Sequence, residues 1–238
     1  MFQFAPWPRD LIFLVVIGLL LASVVLIAVS PETATRTPGA GRSLWPRVFV
    51  PGYVRNLLAV AAAVLLATWS IGAFYQAFVP ALVEGQLHTK SPLILGLVFA
   101  AYMKPSAFGA PLGGRFETAT GQRLGMIRFL LGVIGVITAV AIDTLALFIV
   151  ATVVAGASQG IAISAATRGL LHGTSLADRA PLFSAVYLLS YSGATIPTLI
   201  AGHLTSTFSL LQIALGYGGL ALAGTLVTVI AARNPRTG

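Results

Sequence analysis

The sequence of 238 residues contains no cysteine, and its 6 acidic residues stand against 14 basic ones. Without cysteine there is no disulfide, no thiolate nucleophile and no Cys-based metal site. No HExxH, no Walker loop and no cluster of metal-ligating residues occurs either, so no cofactor, no metal and no ATP-driven step is expected. Charge is scarce altogether, at 8% of residues, where a soluble domain carries about 25%. So few charges cannot cover a surface that faces water. The net charge of +8 does not mark a nucleic-acid binder, because the arginines stand singly between apolar runs instead of forming one patch.

Long apolar stretches are what the chain does have, with apolar residues at 57%. The first, Leu11 to Val29, is an unbroken run of 19 residues, long enough at about 1.5 Å per residue to cross a hydrocarbon core of about 30 Å. A cleaved signal peptide is disfavoured. Arg9 beside Asp10 leaves no net positive charge at the front, and the run exceeds the roughly 7 to 15 residues of a signal core. Pro31 to Arg55, with Arg36, Arg42, Arg47, Arg55 and four prolines, reads as an exposed connection. Six more spans are predicted at Asn56 to Pro80, Pro92 to Leu112, Leu124 to Ile142, Leu145 to Thr167, Leu182 to Ala201 and Leu210 to Ala231. The expected fold is all-α, a polytopic membrane helix bundle of about seven transmembrane helices, with the lipid bilayer as its first partner and no nucleic acid.

Basic residues gather on one side of such a bundle. Arg36, Arg42, Arg47, Arg55, Arg115, Arg123, Arg128, Arg168, Arg179, Arg233 and Arg236 fall at alternate connections. Only Arg9 and Lys90 fall at the others, and Lys104 lies within a span. Cytoplasmic connections carry the excess of Lys and Arg, so the C-terminus is expected in the cytoplasm and the N-terminus outside. The membrane expected is a bacterial plasma membrane.

Three stretches carry a resemblance. Pro31-Glu32-Thr33 closes the first span and leads into the Arg- and Pro-rich connection. The segment Gly114-Arg-Phe-Glu-Thr-Ala-Thr-Gly121-Gln-Arg123 reads as a short loop of the pattern Gly, three variable residues, Asp, Arg, one variable, Gly and two basic residues. Six spans follow the connection. Together these resemble the major facilitator superfamily of secondary transporters, from the end of its sixth helix to its twelfth. Gly114, Gly121 and Arg123 match the gating-loop motif, whereas Thr118 stands at its acidic position and Ala119 and Gln122 at basic ones.

The resemblance implies three regions. Residues 1–30 would be the last helix of an N-terminal half, 31–55 a cytoplasmic linker, and 56–238 a six-helix C-terminal half. It also implies a secondary active transporter, not an enzyme, that moves a small molecule by alternating access, with efflux among the possible directions. The driving gradient would be one of ions, protons by family analogy. Since the family builds its path between two halves, a complementary N-terminal half or a second copy is the expected partner. A non-transporting membrane subunit and an inactive truncated fragment remain alternatives. A seven-span receptor is a weaker one, and a retinal protein would need a lysine in the last span, where none occurs.

Lys104 is the one ionisable residue read as deep in a span, with the helix-kinking Pro105 beside it. Such a residue faces a cavity, pairs or carries function, or else snorkels to the interface. Gly156-Ala-Ser158-Gln159-Gly160 matches the nucleophile elbow of hydrolases in letters alone, since no strand precedes it. Gly156 and Gly160 form instead a small-xxx-small pair for close helix approach, and Ser158 and Gln159 are candidates for bonds across the bundle or for the path. Tyr187 and Tyr191, four apart, share a helix face, as do Trp69 and Gln76, seven apart. All four are candidates for the substrate or coupling path. Asp143 is read as a solvated turn residue.

Overall fold

A computed structural model describes residues 8–31, 52, 55–85 and 91–235, and these residues form helices and turns without a strand. The chain forms two units, Met1–Trp45 and Pro46–Gly238. In the first, the described part is α1, Pro8–Val29, whose apolar stretch Phe13–Val29 is exposed all round. A helix apolar on every face is stable in lipid, not in water.

The second unit holds α2 (Arg55–Ala77), α3 (Val79–Gly85), α4 (Pro92–Gly113), α5 (Thr118–Ala141), α6 (Leu145–Leu171), α7 (Leu176–Leu204) and α8 (Leu210–Ala231). All of these but α3 are long and apolar enough to cross a membrane. Leu93, Phe108, Leu131, Leu188, Leu199 and Ile230 lie on their outer faces, each more than half exposed, an arrangement that water would penalise and a bilayer rewards. The chain is an integral membrane protein of about seven apolar helices.

In the second unit the hydropathy-based boundaries fall short of the helix ends by three residues or more at four places. α5 begins six residues before Leu124 and α7 six before Leu182, while α6 runs on past Thr167 to Leu171 and α7 past Ala201 to Leu204. Hydropathy marks the part of a helix that lies in hydrocarbon. The backbone stops where a cap or turn satisfies its end groups. Ser175 caps α7 by accepting from the Asp178 amide at 3.2 Å, and Ser209 and Gln212 form a reciprocal capping box on α8. In the other direction, the predicted second span is cut short at Ala77, because Pro80 has no N–H to offer the Gln76 carbonyl. The predicted connection at 32–51 and 53–54, Lys90 and Arg236 lie outside the described residues.

The packing divides the six long helices into two triplets. α4 lies along α6 in parallel, with Tyr102 at Gly156 and Ser106 at Gly160. α7 lies along α2 in the same sense, with Gly193 at Leu66 and Thr198 near Gln76 and Ala77. α5 runs antiparallel to α6, with Gly125 at Ala162 and Gly132 at Ala155. α8 runs antiparallel to α2, with Gly224 at Ala67 and Tyr217 against Phe74 and Phe78. α2 meets α6, and α5 meets α8. Exchanging α2, α4 and α5 for α6, α7 and α8 therefore reproduces the principal neighbours in the same relative directions, and only the slighter contacts of α2 with α4 and of α7 with α8 fall outside the pattern.

α2 and α6 are the most enclosed of the long helices. A Cβ at Gly109 would collide with the Ala157 carbonyl, one at Gly156 with that of Tyr102, and one at Gly160 with that of Ser106. Backbone thus packs on backbone along the α4–α6 seam, as expected where hydrophobic driving force between helices is absent.

Candidate functional site

Two groups of polar and aromatic side chains stand out, one inside the bundle and one on its outer face. The inner group joins α2, α4 and α6. The Tyr102 hydroxyl donates to Gln159 Oε1 at 2.7 Å and lies 3.3 Å from the Thr68 carbonyl oxygen. The Tyr75 hydroxyl bonds the Thr152 hydroxyl at 2.7 Å, and the Tyr75 and Tyr102 rings stack with centroids 4.2 Å apart. All five residues are buried. Because the surroundings are apolar, each polar atom needs its partner, and the group acts as one unit.

Gln159 is thus bonded across the bundle, as its position in α6 suggested, and Ser158 beside it is buried as well. Gly156 and Gly160 make the close approach that their spacing implied. The segment lies wholly inside α6, so the strained strand-to-helix turn of a hydrolase is not formed. His172 follows the end of α6, and His203 lies one residue before the end of α7, both exposed. Among the described residues no three His, Cys, Asp or Glu come together as a metal site.

The outer group begins with Trp69 on α2, half-buried, which meets Tyr191 of α7 edge-on at 5.4 Å. Tyr191 in turn stacks with Tyr187 at 6.3 Å. Both tyrosines are more than half exposed. Gln76 is exposed and lines a groove of about 380 Å³ between α2 and α7, together with Thr195 and Thr198. Four of the candidates therefore belong to the α2–α7 seam, three of them in one aromatic row.

Lys104 joins neither group. It stands two residues beyond Tyr102, about 200° round the helix, exposed and without a hydrogen bond or ion pair to the described residues. Arg128 is also within a helix, inside the predicted span Leu124 to Ile142 as well as α5. It is exposed ten residues along α5, so Lys104 is not alone in that respect.

The segment read as a short gating loop is only half loop. Gly114 caps α4, Arg115 to Glu117 make the turn, and Gly121 and Arg123 belong to α5. A Cβ on Gly121 would come within 2.9 Å of the Ala165 side chain. Arg123 donates to the Ala232 carbonyl at 2.7 Å. Arg168 reaches from α6 to the carbonyls of Gly113 at 2.5 Å and Phe116 at 3.1 Å. Gln122, at a basic position of the motif, is buried, where a charged side chain would be costly.

No known protein family matches the chain by sequence, and no curated protein does.

Sequence reading missed Tyr75, Tyr102, Thr68 and Thr152. A signal was present, since tyrosine within an apolar span needs a partner for its hydroxyl. Which partner it takes depends on helix neighbours that no local pattern specifies. Asn234 was missed as well, because its partner lies 115 residues away in the chain.

Proposed function

We propose that the chain is the C-terminal part of a secondary active transporter of the major facilitator type. It moves a small molecule by alternating access, coupled to an ion gradient and most simply to protons. In this reading α1 is the last helix of an N-terminal half, and α2 and α4 to α8 form the C-terminal six. A complementary helix bundle completes the path. The Arg-rich end and the C-terminus face the cytoplasm across a plasma membrane, in line with the excess of positive charge there.

The observation that carries the reading is the exchange of triplets in the helix packing. Three helices and the next three make the same neighbour pattern, and α2 and α6, the first of each triplet, run antiparallel. That is the pattern of an inverted three-plus-three repeat, which this class of transporter holds within each six-helix half. Further support comes from the outer faces of α4 and α7, which carry Lys104 and the Tyr187–Tyr191 pair outward from their own bundle. A second bundle laid there would turn these residues toward a shared path. Lys104 would then meet an anionic group of the substrate or a carboxylate of the other half.

The test is gradient-driven uptake and efflux of a small-molecule panel in vesicles holding this chain, alone and together with five preceding helices from its genomic context. Transport that is abolished by an uncoupler and by Lys104→Ala is the expected result in the second case. Silence in both cases overturns the reading in favour of a membrane subunit that does not transport.

A further inference from the structure

At the Arg-rich end of the bundle, helix α5 is capped by a residue from the other end of the unit. Its own N-cap residue, Glu117, makes no side-chain cap. Instead Asn234, past the end of α8, accepts from the Ala119 amide at 2.9 Å and donates to Glu117 Oε2 at 2.7 Å. One turn along, Arg123 holds the Ala232 carbonyl at 2.7 Å. Between these bonds Ala119, Ala232 and Val60 of α2 form an apolar cluster of their own, separate from the main core and each no more than 5% exposed.

The local sequence prepares this arrangement. Ala232 leaves the helix in an extended conformation. Pro235 cannot continue a helix and also biases Asn234 toward extended backbone. The chain after α8 is therefore laid across the start of α5 instead of winding onward. Asparagine suits the role, since its oxygen caps a helix start while its amide donates to the acid beside it.

We propose that Ala232 to Asn234 form a latch that holds the start of α5 against the end of α8 beside Val60 of α2, next to a cavity of about 680 Å³ lined by Asn56, Val60, Val227 and Asn234. Its release is the step that lets α5 part from α8 there and opens the Val60 cluster to that cavity. The bonds it makes are few, and three of the four groups involved besides Ala119 stand at the solvent-facing end, so the latch can exchange them for water. By contrast, the α4–α6 seam is held by backbone packed on backbone at Gly109, Gly156 and Gly160. The latch stands on the packing alone and holds whether or not the chain transports.

The absence of native cysteine allows a direct test in the full chain. Single cysteines replace Val60 and Ala119, buried at the latch, and Val98, buried in the main core; each is labelled with a maleimide in liposomes. With Asn234→Ala, or with Arg123→Ala, labelling at positions 60 and 119 is expected to rise about five- to tenfold, the effect of losing one cap or one charged hydrogen bond. Labelling at position 98 is expected to stay as it was. Asn234→Asp keeps the oxygen for the Ala119 amide but sets a charge against Glu117, and is expected to fall between. Unchanged labelling at 60 and 119 overturns the latch. An equal rise at all three positions also overturns it, because Asn234 would then support the whole bundle and not its end.

Discussion

The Tyr102 hydroxyl and Gln159 Oε1, 2.7 Å apart, tie α4 to α6 near the middle of both helices. Neither residue is reached by solvent to any extent, with Tyr102 fully buried and Gln159 6% exposed. Removing one partner strands the other. Tyr102→Phe is expected to cost about 1–3 kcal/mol, the penalty of an unpaired buried acceptor, whereas Tyr102→Phe with Gln159→Leu recovers most of it. Thermal unfolding of the single and double variants in detergent checks this.

Gly156 and Gly96 make a matched pair for the packing argument. A Cβ at Gly156 would run into the Tyr102 carbonyl, while one at Gly96 meets nothing within 4 Å. Gly156→Ala is expected to force α4 from α6 at a cost of about 1–3 kcal/mol. Gly96→Ala is expected to be neutral or slightly stabilising, since alanine is the better helix former. Melting temperatures of the two variants decide it.

The Trp69–Tyr191 contact, at 5.4 Å and 62° between planes, is the direct link between the candidate residues of α2 and α7. A double-mutant cycle with Trp69→Ala and Tyr191→Ala is expected to show a coupling of about 0.5–1.5 kcal/mol. Tyr187→Ala is expected to show none with Trp69, because the contact between them runs through Tyr191. Additive effects for Trp69 and Tyr191 would mean that the row does not hold the seam.

Arg168 holds two backbone carbonyls at the α4–α5 turn. Arg168→Ala is expected to raise hydrogen exchange in residues 113 to 117, with little change at the α2–α7 seam. Lysine at this position is expected to restore exchange only in part, because both bonds come from Nη2 at the tip of the guanidinium, one bond farther from the backbone than a lysine ammonium.

The side of the membrane is open to measurement too. Arg179 and Ser206 are exposed at opposite ends of α7. Single cysteines there are expected to differ in labelling by an impermeant maleimide in intact cells, with Ser206→Cys reacting and Arg179→Cys protected. The reverse pattern would invert the orientation read from the arginines.

Much of the bundle was legible before any coordinates. Runs such as Leu210 to Ala231, which coincides with α8, are too apolar and too long to be anything but helices in lipid. Lipid leaves the backbone no choice, so composition alone decides the class. The glycine spacing in α6 also predicted a close approach correctly, because a small residue every fourth position lines one helix face.

What the sequence left open was who stands next to whom. Gln159 was visible as polar in an apolar run, but Tyr102 as its partner was not, since helix adjacency is set by packing over the whole unit. Thr118 to Arg123 read as loop, because polar residues at the membrane surface look alike whether coiled or helical. The cap that Asn234 places on α5 is of the same kind. Hydropathy ended the last span at Ala231 and said nothing of Asn234. Only the tertiary structure decided that this residue would cap another helix.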